Sequence, residues 1–176
     1  MRRVQKAWQQ AEQVLAEHRV RRAPVDVRQI AERYAHVVER PLDGDISGVL
    51  VPLEDGGWAI VVNATHPPAR QRFTIAHELG HLLLHGYTAP HADRTFKFRD
   101  ARSSEGSALE EIQANQFAAE LLMPRALVLK KARARPLDHA ANEAEDDAFN
   151  EWVGKLAEDF GVSKQAMTIR VSSLFA

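Results

Sequence analysis

The sequence predicts a mainly helical α+β fold with a small three-stranded sheet of mixed or antiparallel type. Three observations lead to this fold class. Apolar residues recur at three-and-four spacing over most of the chain, β-branched runs separated by glycine turns lie between residues 36 and 63, and one apolar helical stretch carries a His-Glu-x-x-His pattern. With 176 residues the chain can bury a full hydrophobic core, so it needs neither disulfides nor a structural metal to fold.

Two helices are predicted before the strands. Residues 4–18 place their apolar side chains on one face, which is the pattern of an amphipathic helix. A second, short helix is predicted to open at Pro24 and to end near Tyr34, with Val27 and Ile30 on its inner face.

Three strands are predicted at residues 36–40, 47–52 and 58–63, because these runs are rich in Val, Ile and Leu. Asp43-Gly44 and Asp55-Gly56-Gly57 lie between them and are typical of turns. Such short connections favour a small sheet.

A longer apolar helix is predicted from Pro67 to about His85, where Gly86 ends it. Gly80 lies inside this helix and costs roughly 1 kcal/mol relative to alanine. We interpret it either as a site where another element approaches closely or as a merely tolerated glycine.

The predicted helix is followed by a polar stretch at residues 86–106, and loops of this length usually carry function. Within it, residues 95–98 alternate between polar and apolar and predict a short edge strand. Residues 108–122 predict another helix, which Met123-Pro124 closes because the residue before proline is disfavoured in the α conformation.

Basic and acidic residues are segregated in the C-terminal part of the sequence. Residues 125–135 hold five basic and no acidic residues, whereas residues 138–151 hold six acidic residues and neither Lys nor Arg, which predicts solvated helix faces and an exposed connection. Two further helices are predicted at residues 152–174, with a break at Gly161 and Ser163 as the cap of the last one. We therefore divide the chain into a main domain, residues 1–135, and a C-terminal helical subdomain, residues 136–176, that has a helix-turn-helix-like pattern and packs on the main domain.

Composition and charge exclude several classes of protein. The 23 Lys plus Arg and 24 Asp plus Glu give a net charge of -1, so nothing attracts the whole molecule to nucleic acid or to an anionic membrane. Cysteine is absent, so any transition metal must be held by His and carboxylates. The N-terminus leads into a polar helix, and no apolar run approaches the roughly 18 residues of a membrane span. We expect a cytoplasmic protein without a membrane partner.

The pattern His77-Glu78-Leu79-Gly80-His81 predicts a metal site. On a helix, histidines at i and i+4 project from one face about 6 Å apart, which suits one tetrahedral ion. Glu78 lies next to the first ligand, where it can act as the general base that takes a proton from the attacking water and passes it to the leaving amine.

Zinc is the expected metal, because it would lower the pKa of the water toward about 7 and polarise the carbonyl group. Manganese and iron accept similar ligands. The motif is thus that of a zinc-dependent peptidase. The competing interpretation is that the two histidines merely satisfy polar groups on a half-buried helix.

A catalytic zinc needs a third protein ligand and an open position. Glu110 and Glu111, on the predicted helix 108–122, are both candidates. Only Glu111 has Asn115 four residues further on, on the same helix face, where the amide can hydrogen-bond a ligand. We therefore choose Glu111. His85 lies about 12 Å along the helix axis from His77, which is too far for the two to share one ion.

No single residue is selected for stabilising the oxyanion. His85, Tyr87 and His91 follow the helix of the motif closely enough to be considered, and Arg72 is a further option. Each of the four is explained equally well as a surface residue.

At this point the chain resembles a known family, the ImmA/IrrE metallopeptidases. The resemblance is carried by residues 45–48, 58–63, 72–81, 93–96, 111–124 and 156–163. It implies a gluzincin-like centre with two helix histidines, the adjacent glutamate as base, and a glutamate from the Ala-Asn-x-Phe-Ala helix as third ligand, which falls on Glu111. Relatives often have a second Glu where this chain has Gln113, so Glu111 is the less ambiguous ligand.

The resemblance also implies a substrate. Relatives cleave, or are proposed to cleave, a helix-turn-helix repressor of the XRE type that is encoded nearby, and so switch on a mobile element or a stress response. Some relatives carry a fused DNA-binding or sensor domain, for which this chain is too short. We therefore expect a stand-alone peptidase whose repressor substrate is a separate chain.

Two other functions compete with this interpretation. The helix-turn-helix-like pattern suggests a DNA-binding regulator, but residues 150–176 hold three basic and three acidic residues, where a surface that follows phosphates should be positive. A non-cleaving metal-containing regulator, or a toxin-antitoxin component acting by protein or DNA binding, is the second alternative. Glu78 favours catalysis, because a purely structural zinc site has a fourth protein ligand and no use for a base.

Overall fold

A computed structural model of the chain describes residues 2–43, 46–86, 91–94, 104–134 and 145–175. Within these ranges, the helices are α1 Arg2–Glu17, α2 Val27–Ala31, α3 Pro68–His85, α4 Ser104–Leu122, α5 Arg125–Ala134, α6 Glu145–Phe160 and α7 Lys164–Phe175. The strands are β1 His36–Arg40, β2 Ile46–Pro52, β3 Trp58–Asn63 and β4 His91–Arg94. The predicted α+β class is confirmed. None of the helices described has both the length and the apolar character needed to cross a bilayer.

The sheet is mixed and contains the three predicted strands in the order β1-β3-β2-β4. β1 runs parallel to β3, and β2 runs antiparallel to β3 with Leu50 opposite Ile60. The fourth strand, β4, pairs antiparallel with β2 at the sheet edge and was not predicted. Residues 91–94 are polar and lack apolar alternation, and an edge strand needs only backbone hydrogen bonds to one neighbour. The edge strand predicted at residues 95–98 lies outside the described residues.

The short helix α2 begins later than predicted. Its first residue is Val27 and not the expected start at Pro24, because Asp26 caps the helix by accepting a hydrogen bond from the Gln29 backbone N–H at 3.1 Å. The predicted cap of α7 is confirmed, since the side-chain oxygen of Ser163 accepts from the backbone N–H three residues on at 3.2 Å.

One hydrophobic core joins the sheet to the helices. Fully buried side chains come from the sheet, Leu50 and Ile60, and from helices distant in sequence, Leu79 of α3, Phe117 of α4 and Phe160 of α6. The basic residues of α5 are exposed, as predicted for a solvated helix face. The C-terminal helices therefore share apolar packing with the helices that carry the candidate site.

Arg72 links α3 to the turn between α6 and α7. Its Nε donates to the Gly161 carbonyl at 3.0 Å, and its Nη2 donates to the carbonyls of Val25 at 2.8 Å and Phe160 at 3.4 Å. Gly161 has a φ of 63°, in the left-handed region that favours glycine. The Arg72 guanidinium thus holds the α6–α7 turn against the start of α3.

Glu120 joins four helices below the surface. Its side chain is 2% exposed. Oε1 accepts from the Arg125 backbone N–H at 2.9 Å, while Oε2 accepts from Trp8 Nε1 and Arg170 Nη2. Arg170 Nε also donates to the Met123 carbonyl at 3.0 Å. This one carboxylate of α4 therefore contacts α1, α5 and α7.

We expect Glu120→Gln to lower the free energy of unfolding by about 1–3 kcal/mol, because the amide removes the charge opposite Arg170 and replaces one acceptor oxygen with a donor. Urea unfolding followed by circular dichroism measures the change. Glu151→Gln is the matched control, since Glu151 forms an exposed pair with Lys155 and its loss should not be measurable. Similar losses in the two variants would contradict the role given to Glu120.

Candidate metal centre

Helix α3 presents His77 and His81 to the interior from successive turns. The two residues are 2% and 0% exposed. Their Nε2 atoms lie 2.9 Å apart, so both rings direct the same nitrogen to one point. This is the arrangement that the i and i+4 spacing predicts.

Helix α4 brings Glu111 to the same point. Glu111 Oε2 lies 3.4 Å from His77 Nε2, and Oε1 lies 3.2 Å from His81 Nε2. The ligand atoms of the three residues are all within 4.8 Å of one another. The structure therefore brings together the three side chains that the sequence selected. The other candidate, Glu110, faces His85 with its backbone carbonyl.

The spacing of these atoms fits one four-coordinate metal ion. Atoms bound to a tetrahedral zinc at about 2.0–2.1 Å lie about 3.3 Å from one another. The separations between the histidine nitrogens and the Glu111 oxygens are 3.2 and 3.4 Å. Two imidazoles and a carboxylate are also a donor set that divalent transition metals accept. The Glu111 side chain is 21% exposed, so the centre is not sealed from solvent on that side.

Asn115 fixes the orientation of His77. His77 Nδ1 donates to Asn115 Oδ1 at 3.0 Å. Because an amide oxygen only accepts, this bond keeps the proton on Nδ1 and leaves the Nε2 lone pair directed at His81 and Glu111. The sequence predicted that Asn115 would hydrogen-bond a ligand, and its partner is His77. The Phe73 ring stacks against the same imidazole, with centroids 6.2 Å apart.

We expect Asn115→Leu to weaken metal binding by about 10–100-fold, because His77 loses the acceptor that fixes its tautomer and ring orientation. Competition with a chromogenic chelator measures the affinity. Asn115→Asp keeps an acceptor oxygen and should bind the metal far more tightly than the leucine variant. Equal affinities for the wild type and Asn115→Leu would show that the hydrogen bond does not matter.

Glu78 lies between α3 and the sheet and is fully buried, with 0% exposure. Gly48 of β2 passes directly over it. A Cβ atom at Gly48 would lie 3.1 Å from Glu78 Oε1 and 2.4 Å from Thr74 Cγ2. Only glycine lets the strand approach this closely. Gly48 is not among the predicted site residues, although a single glycine inside a strand pattern is a signal of close backbone approach.

Gly80 allows α3 and α4 to approach each other. A Cβ atom there would lie 3.0 Å from Phe117 Cδ1 and 3.2 Å from Ala114 Cα. The close approach considered for Gly80 is therefore confirmed. It sets the distance at which Glu111 faces the two histidines.

The four residues considered for the oxyanion differ in position. Arg72 is excluded, because its guanidinium binds backbone carbonyls at the α6–α7 turn. His85 packs beside His81, with ring centroids 5.4 Å apart. Burial lowers the pKa of His85, and the nearby Glu110 acts in the opposite direction. Tyr87 and the side chain of His91 lie outside the described residues.

Comparison with known proteins gives a consistent result. Residues 17–172 match the model of a peptidase family described as the IrrE N-terminal-like domain. The radiation response metalloprotease IrrE of Deinococcus deserti is 35% identical over 106 residues, which are 54% of this chain and 35% of the relative. The protein of the same name from Deinococcus radiodurans is 39% identical over 72 residues, which are 39% of this chain and 20% of the relative. The matched regions thus span about a third or less of each relative.

Proposed function

Since the chain belongs to the IrrE N-terminal-like family of peptidases, we propose that it is a zinc-dependent endopeptidase with His77, His81 and Glu111 as the metal ligands. The observation that carries this proposal is the convergence of two buried imidazole nitrogens and one carboxylate on a single point. A divalent metal at this point would polarise the scissile carbonyl and acidify the attacking water.

Glu78 is the general base in this proposal. It follows His77 on α3, so its carboxylate is carried by the same rigid element as two of the ligands. It would take a proton from the attacking water and deliver it to the nitrogen of the leaving amine. Asn115 contributes by holding the proton on His77 Nδ1, which directs the Nε2 atom at the metal position and fixes the orientation of the ring.

The substrate we propose is a protein, and specifically an XRE-type helix-turn-helix repressor encoded as a separate chain. The resemblance of the motifs to the ImmA/IrrE family supports this substrate, and the relatives from Deinococcus are named as radiation response metalloproteases. A repressor substrate would place the reaction in the cytoplasm.

The C-terminal helices are proposed to be a subdomain, residues 136–176, that packs on a peptidase domain at residues 1–135. The contacts of Arg72 with Gly161 and of Arg170 with Glu120 support this packing. Because the charges of this segment balance, we assign it a structural role and no direct contact with DNA.

Metal content and cleavage are tested together. The chain purified without added metal is expected to contain about one zinc ion per molecule and to cleave the repressor, while a chelator stops cleavage and zinc restores it. His81→Ala should lose the metal, whereas His36→Ala, at an exposed position, should keep it. Elemental analysis and gel electrophoresis of the repressor give the two readouts. Cleavage by the metal-free protein would contradict the proposal, and cleavage supported only by manganese or iron would correct the metal.

A further inference from the structure

An apolar groove of about 990 Å³ lies beside the candidate metal centre. Its walls come from α1, α3, α4 and α7, and its main side chains are Trp8, Phe73, Ala119, Met123 and Ile169. We call it the lateral groove. Two of its apolar residues are partly exposed, Ile169 by 64% and Trp8 by 38%. Covering large apolar side chains that are in contact with water is favourable, so a ligand that does so binds more tightly.

The lateral groove adjoins the metal centre through two shared neighbours of His77. Phe73 and Asn115 line the groove, and the same two residues contact His77 through ring stacking and a hydrogen bond. The groove therefore begins one residue away from His77, next to a polypeptide bound at His77, His81 and Glu111.

One wall of the groove is held rigidly. The Trp8 indole donates its Nε1–H to Glu120, and Arg170 of α7 donates to the same carboxylate oxygen. A fixed aromatic ring contributes contact area with little loss of side-chain entropy on binding. The described residues that line the groove include Arg70 and Arg170 but no carboxylate, so a basic segment is disfavoured there.

The position of the groove sets a distance along the substrate. Met123, directly after the last residue of α4, follows Asn115 by eight residues, or about 12 Å along the helix axis. An extended chain covers about 3.3 Å per residue, so this length corresponds to about four residues.

We propose that the lateral groove binds apolar side chains of the substrate polypeptide about three to five residues from the cleaved bond, and that Ile169 and Trp8 make it a determinant of specificity. This inference rests on the proposed peptidase function and adds a substrate class to it. The recognised segment is not basic and carries Leu, Ile, Met or Phe at that distance.

The probe is a degenerate peptide library incubated with the zinc-loaded full chain, with cleavage products identified by mass spectrometry. Cleaved peptides should be enriched in large apolar residues three to five positions from the new terminus. For one selected leucine peptide, Ile169→Glu should lower kcat/KM at least about tenfold, since a charge then faces the apolar side chain. Ile169→Ala should give a smaller fall in the same direction. Thermal unfolding of each variant checks that it is folded.

Phe175→Glu is the matched control. Phe175 is 60% exposed on the same helix α7 but does not line the groove, so its replacement should leave the preference intact. The inference would be overturned if the wild type cleaved without apolar preference, or if Ile169→Glu and Phe175→Glu had equal effects. Neither result would contradict the proposed peptidase function.

A binding measurement separates this inference from the proposed function. A fluorescein-labelled leucine peptide is titrated with the Glu78→Gln protein and with the Glu78→Gln, Ile169→Glu double variant, and anisotropy gives the two dissociation constants. If the wild type cleaves nothing, the peptidase function fails, while weaker binding by the double variant still supports the groove. Equal binding by both proteins would overturn it.

Discussion

Replacing Glu78 by glutamine is expected to lower kcat/KM by about 10²–10⁴ while the metal content stays at the wild-type level. Glutamine has nearly the same shape as glutamate but cannot accept the proton of the attacking water. The three proposed ligands His77, His81 and Glu111 are unchanged in this variant, so metal binding should not suffer. Cleavage of the proposed repressor substrate and elemental analysis of the same preparation measure the two effects.

Glu110→Gln is the control for this experiment. Glu110 precedes the proposed ligand Glu111 on α4, and its backbone carbonyl accepts from His85, a contact that the substitution keeps. This variant should retain both metal and activity. If Glu78→Gln cleaved as fast as the wild type, Glu78 would not be the base. If Glu110→Gln lost its metal, the choice between the two neighbouring glutamates would be wrong.

The parts of the site that depend on local periodicity could be predicted from the sequence. The spacing of His77 and His81 places both on one face of any regular helix, whatever the rest of the fold does. Glu111 could be chosen for the same kind of reason, because Asn115 lies one turn further along its helix. In the structure, the Asn115 amide accepts a hydrogen bond from His77 on the neighbouring helix. The helix face on which Asn115 lies could therefore be predicted from the sequence, but the ligand that it contacts could not.

The features that the sequence did not indicate depend on contacts between distant segments. The Glu120 side chain meets Trp8, which is 112 residues away, and Arg72 meets Gly161 at a separation of 89 residues. Neither pair has a spacing that periodicity can detect. Strand β4 was not predicted because it forms through backbone hydrogen bonds to β2, and these require no particular side-chain pattern. The lateral groove likewise exists only once four helices are packed.

Gly48→Ala is expected to lower kcat/KM on the order of 100-fold, because a displacement of about 1 Å at a catalytic group has an effect of that size. The added Cβ would lie 2.4 Å from Thr74 Cγ2 and 3.1 Å from Glu78 Oε1. Thr74 is 2% exposed and β-branched, so its methyl group has little freedom to move. The strand must then shift away from α3, which disturbs Glu78 and costs about 1–3 kcal/mol of stability.

The cause of this loss can be isolated with a second substitution. Thr74→Ser removes the Cγ2 atom, so the Gly48→Ala, Thr74→Ser double variant should regain part of the activity and stability, while the contact with Glu78 Oε1 limits the recovery. Gly154→Ala is the control, since nothing lies within 4 Å of an added Cβ in α6 and alanine favours a helix. If the double variant were no better than Gly48→Ala alone, the contact with Thr74 would not be what makes glycine necessary above Glu78.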